Sequence, residues 1–214
     1  MKKLALLGAL VSVVLLAGCA STPDTYYTLA ARADTAIIAP APVLDGAPIF
    51  IELAPVAVPE RLARPQMVIR KAGARSAEVE LLEQHRWASS FDSELRDALS
   101  SGIAARLGAI DATKGARQPG QPAWRIAVQL RHFDAVENAH VDAAFSWTVR
   151  RSDGARSAAC QWSSREPVVA GIAALAQGAQ RVTSSAAQAI ARHVAALNAM
   201  KGDGDAAHAA SCVQ

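Results

Sequence analysis

Trp124-Arg125-Ile126-Ala127-Val128-Gln129-Leu130-Arg131 is the stretch whose reading decides the fold. Trp124, Ile126, Val128 and Leu130 alternate with Arg125, Ala127, Gln129 and Arg131, the period of two expected of a strand with one dry and one wet face. The pattern returns downstream. Val141, Ala143, Phe145, Trp147 and Val149 alternate with Asp142, Ser146, Thr148 and Arg150. Asp153-Gly154 supplies a tight-turn signal, and Ala158, Cys160 and Trp162 carry a third strand. Together these predict an antiparallel meander buried on one face.

Helical periods flank the meander. Upstream, Phe91, Leu95, Leu99, Ile103 and Leu107 recur every three to four residues, with Ala98 in the same stripe. Ser89 or Ser90 is placed to cap this helix, Asp92 and Glu94 suit the positive end of its dipole, and Gly108 suits a left-handed stop. Downstream, from about Val169 to Ala199, Ile172, Leu175, Ala179, Val182, Ala186, Ile190, Val194 and Leu197 form a second, alanine-rich stripe. Short strands precede the first helix, around Ile49 to Leu53, Met67 to Arg70, and Val79 to Trp87. Strands, helix, three strands, helix predicts an α+β domain of two layers, an antiparallel or mixed sheet with both helices on one face. The domain spans residues 48–200, and 201–214 reads as a flexible tail.

The amino terminus carries a different signal. Lys2 and Lys3 precede an apolar run from Leu4 to Ala17, shorter than the roughly 20 residues needed to cross a bilayer. The run closes on Leu16-Ala17-Gly18-Cys19, which resembles a bacterial lipobox. The resemblance implies a signal at residues 1–18 and acylation of Cys19, the new first residue. Each buried methylene of an acyl chain adds about 0.8 kcal/mol, and stable anchoring needs more than one chain. Ala20, rather than Asp, follows the cysteine, which by the same resemblance directs the protein to the outer membrane. Residues 19–47 read as lipidated terminus and tether, rich in Ala, Thr, Asp and Pro, with Tyr26-Tyr27-Thr28-Leu29 suited to a short edge strand.

Charge excludes one class of partner. The chain has 22 basic and 19 acidic residues for a formal +3, and loss of Lys2 and Lys3 with the signal leaves near balance. No long basic run is present, so nucleic acid is not an expected partner. Cys160 and Cys212 remain as a disulfide candidate closing a loop of roughly 50 residues, worth about 4 kcal/mol if formed. Alternatively, Cys160 shares strand parity with Trp162 and is a small buried apolar residue. No histidine or cysteine lies at metal-ligand spacing, no serine sits in a nucleophile elbow, and no glycine-rich phosphate loop follows a strand. The expectation is a non-enzymatic domain without metal or cofactor.

Several segments together resemble one family. They are Tyr26-Tyr27-Thr28-Leu29, Pro55 to Glu60 leading to Leu62-Ala63-Arg64-Pro65-Gln66-Met67-Val68, His85-Arg86-Trp87-Ala88, Leu107-Gly108, and Trp124-Arg125-Ile126 with Phe133. In order and spacing they resemble the PqiC-like ABC-type transport auxiliary lipoproteins, with Arg61 standing where an aromatic is expected. The resemblance implies a periplasm-facing outer-membrane lipoprotein, a docking subunit for an MCE-domain membrane protein and its inner-membrane permease complex in intermembrane lipid transport. A homo-oligomeric ring would suit the end of a lipid tunnel. The proline-stiffened loop with Glu60, Arg61 and Arg64, continuing to Gln66, is the candidate partner surface. The competing reading is a lipid carrier that holds an apolar ligand itself, which requires a sizeable cavity.

Overall fold

The computed structural model describes residues 23–30, 48–71, 73, 77–113, 115, 120–154 and 156–200. The signal, Cys19, residues 31–47 of the expected tether, the tail 201–214 and Cys212 lie outside the described residues.

Among the described residues, eight strands and two α-helices follow in the order β1 (Thr25–Tyr27), β2 (Phe50–Leu53), β3 (Gln66–Ile69), β4 (Glu80–Trp87), α1 (Phe91–Leu107), β5 (Ile110–Asp111), β6 (Trp124–Val136), β7 (His140–Arg151), β8 (Ser157–Pro167) and α2 (Ile172–Ala199). A 3₁₀ turn at Glu60–Leu62 precedes β3. The fold class is α+β, with two mixed sheets in place of the expected single one. The larger has the order β5-β2-β6-β7-β8, with β2 parallel to both neighbours and β6-β7-β8 forming the antiparallel meander. The smaller has the order β1-β4-β3, with β1 parallel and β3 antiparallel to β4. A parallel bridge between Arg70 and Val136 links the two sheets.

Strand β6 extends to Val136, beyond the end suggested by its alternation. Leu130 pairs with Phe145 and His132 with Ala144, so Arg131 is an extra residue in a bulge. An inserted residue exchanges the two faces. Before it the even positions 124 to 130 are buried; after it Phe133 and Ala135 are buried. The second half of β6 thereby packs towards the small sheet.

Both helices cover one face of the large sheet. Leu175, Ala179, Val182, Ala186, Ile190, Val194 and Leu197 of α2 are all buried, as their spacing requires. Alanine and glycine let the elements approach closely: a Cβ at Gly178 would lie 2.6 Å from Val168 Cγ1 and 3.0 Å from Val141 Cγ2. At the helix–helix contact a Cβ on Gly102 would lie 3.0 Å from that of Ala187. The buried Trp147 indole N–H donates to His193 Nδ1 at 2.9 Å, tying β7 to α2. Helix α1 begins at Ser90, whose hydroxyl bonds the Ser93 hydroxyl at 2.9 Å instead of a backbone N–H. Gly108 ends α1 with φ 60°, as expected of a left-handed stop. Arg156 donates to the carbonyls of Leu197 and Met200, which the end of α2 leaves without helical partners.

Candidate functional site

The segment from Pro23 to Ala30 is fastened into the fold. β1 pairs Thr25 with His85 and Tyr27 with Trp87 along one edge of β4. Leu29 is 1% exposed and belongs to the main core. The backbone around it is held by two helices. The Glu94 carboxylate of α1 accepts from Leu29 N at 2.9 Å and Thr28 Oγ1 at 2.8 Å, and Ser89 Oγ donates to its other oxygen at 3.2 Å. Gln180 of α2 donates its amide to the Thr28 carbonyl at 2.7 Å and to that of Ala30 at 3.2 Å. Ala88 N donates to the Tyr27 carbonyl at 2.7 Å. The Tyr27 hydroxyl and His85 Nδ1 share a hydrogen bond of 3.1 Å, and burial raises the phenol pKa. Asp24 lies 3.6 Å from the Arg86 guanidinium. The sequence marks Glu94 only as a dipole partner and does not mark Gln180, because the groups they hold at residues 28–30 are more than sixty residues away.

The expected partner loop is brought together in part. Glu60, Arg61 and Arg64 are exposed on the turn before β3, around the buried anchor Leu62. Arg61 Nη2 donates to the Phe133 carbonyl at 3.3 Å, fastening the turn to β6. Gln66 is half-buried on β3 and lines a cleft with Leu62, Met67, Trp87, Phe91 and Phe133. The rings of Trp87 and Phe91 lie 5.5 Å apart and those of Phe91 and Phe133 5.0 Å apart, closing the cleft from the inside. Its volume is about 10 Å³, room for one water molecule and far short of an acyl chain.

Outside this region several titratable groups form structural pairs. Arg70 contacts Asp134 at 2.9 Å. Arg165 grips Asp142 with two bonds of 2.6 and 2.7 Å, and this pairing holds the Asp142 carboxyl below the usual range. No group of His, Cys, Asp and Glu among the described residues could hold a metal ion. No helix among them is long and apolar enough to cross a membrane. Cys160 is buried on β8; the expected disulfide partner, Cys212, is outside the described residues.

Residues 27–191 match the sequence model of a family described as the ABC-type transport auxiliary lipoprotein component. None of the curated proteins matches the chain. Among solved structures, an uncharacterised protein is similar with a TM-score of 0.60 and 16% identity, over 81% of this chain and 99% of that one. A DUF330 protein from Xanthomonas campestris is similar with a TM-score of 0.54 and 13% identity, over 71% of this chain and 86% of that one. At such identities these two support the fold.

Proposed function

The chain belongs to the ABC-type transport auxiliary lipoprotein family, and from that premise we propose that it is an outer-membrane lipoprotein, acylated at Cys19, that docks an MCE-type lipid-transport assembly on its periplasmic side. The small volume of the cleft carries this reading. A carrier needs a cavity of several hundred Å³ for its ligand, whereas the cleft between the sheets has about 10 Å³ and is closed by three aromatic rings. A packed domain on a lipid anchor is suited to hold a partner in place. Glu60 and Arg64, exposed on a turn stiffened by Pro59 and Pro65, offer that partner a charged surface, with Arg61 bracing the turn through the Phe133 carbonyl.

Capture of the MCE-domain partner by the tagged full chain, followed by native mass spectrometry, tests the reading. Arg64→Glu should abolish capture and leave the thermal unfolding midpoint unchanged, because Arg64 is exposed. Failure of the unmodified chain to retain the partner, or a phospholipid bound stoichiometrically to the domain, would favour the carrier.

A further inference from the structure

The path of the anchor segment assigns one end of the domain to the membrane. We propose that the end formed by residues 77–79 leading into β4, the β6–β7 hairpin and the start of α2 rests on the lipid surface, with Val79, Leu81 and Val169 in contact with it. The proposal rests on acylation of Cys19 and goes beyond it by specifying which face the anchor presents.

The reach of the chain is the first argument. Three residues separate Cys19 from Pro23, the first described residue, so four steps of the chain at most ~3.6 Å each keep Cys19 within about 14 Å of Pro23. The fastened segment crosses α2 at Gln180, eight residues after the start of the helix and nineteen before its end. At ~1.5 Å per residue, the crossing lies about 12 Å from the start and about 29 Å from the end. Direction adds to this bias. β1 runs parallel to β4, so tracing back from Tyr27 to Thr25 leads towards the Glu80 end. The acylated terminus thus reaches the near end of the domain and falls short of the far one.

The surface at that end is the second argument. Five large apolar residues are exposed among those described, and three of them, Val79 (44%), Leu81 (37%) and Val169 (78%), belong to this end. Hydrogen bonds join the elements that carry them. Arg70 Nη1 donates to the Glu78 carbonyl, the Arg70 carbonyl accepts from Glu137 N, the Ala139 carbonyl accepts from Val168 N, and Asn138 Oδ1 accepts from Gly171 N. Tyr26, exposed on β1, lies on the same approach. Ile110, the fifth, sits beside the first residue of β2 at the opposite end.

Charge is the third. The described basic groups at this end include Lys71, engaged with Glu80 at 2.9 Å, Arg70 with Asp134 at 2.9 Å, and Arg181 with Glu166 at 3.2 Å. Among the described residues there is no basic cluster to draw this end to anionic headgroups. The contact is apolar, held by the anchor, and independent of headgroup charge.

The test uses the full acylated chain in phosphatidylcholine vesicles carrying a tritiated lipid, with benzoylphenylalanine placed singly at Val169, Leu81 or Ile110. Irradiation should yield lipid adducts at Val169 and Leu81 and a loss of adduct at Ile110. Replacing part of the phosphatidylcholine with phosphatidylglycerol should leave the yields unchanged. Equal labelling of Ile110, absence of adduct at Val169 in acylated chains, or labelling that requires phosphatidylglycerol would overturn the orientation. Mass spectrometry of the same samples distinguishes a failed orientation from a failed anchor: an unacylated Cys19 overturns the anchor itself.

Discussion

The two sheets are built from similar strands and are covered differently. The large sheet buries Val141, Phe145 and Val149 beneath α2, which brings alanine and glycine so close that Gly178 leaves no room for a methyl group. The small sheet buries Met67 and Ile69 on its inner face and leaves Val79, Leu81 and Tyr26 open at or beside its strands. Apolar residues under α2 are structural, because displacing them opens a cavity in a packed core. Apolar residues left open beside the anchor segment are available for contact. In this domain the covered sheet supplies rigidity, and under our proposal the open sheet supplies attachment.

Substitutions in each region sharpen that contrast. Phe145→Ala should have the largest effect, about 3–5 kcal/mol of global stability read from urea unfolding, because the ring is 1% exposed and packs 6.1 Å from that of Trp162. Glu94→Ala comes next. It removes the acceptor for Leu29 N and Thr28 Oγ1, and should cost about 1–3 kcal/mol. The loss should be local, seen as faster amide exchange in residues 23–30 with β6 and β7 unaffected. Global unfolding instead would erase the distinction between the two regions.

Electrostatic effects should be smaller. Arg165 holds Asp142 in its ionised form, so the folded carboxyl pKa lies below its ordinary value of about 3.9. Stability from this pair is present above that ordinary value and is lost as pH falls through the depressed folded one. Arg165→Gln should lower stability at neutral pH by less than Glu94→Ala does, because Arg165 is largely exposed and solvent screens the pair. In the same series of urea titrations, it should also flatten the acid-side decline. Leu81→Ser should have the smallest effect on stability, within about 0.5 kcal/mol. A cost comparable to that of Phe145→Ala would show that Leu81 is structural and break the comparison.

Much of the covered sheet was legible in the sequence because its signals are local and periodic. The stripe from Leu175 to Leu197 and the alternation from Val141 to Val149 were both found buried. The alternation of β6 misleads at Arg131, where one inserted residue exchanges the faces and conceals the strand as far as Val136. The division into two sheets was not legible, since it depends on β1 pairing with β4 from a distant position and on β2 pairing with β6 rather than with the next strand, β3. Tyr26 to Leu29 could be read as a short strand. Its fastening by Glu94 and Gln180 could not, because those contacts are made across the fold. Glu60, Arg61 and Arg64 were read as an exposed loop and are exposed, whereas Gln66 turns partly into the cleft.

The account depends most on the chain being held to a bilayer through its first mature residue. Mass spectrometry of the amino-terminal peptide, from full chain expressed in bacteria and recovered from the membrane fraction, measures this directly. The expected product begins at Cys19 and carries covalently attached fatty acyl groups. A peptide that begins elsewhere, or an unmodified Cys19, would contradict the account.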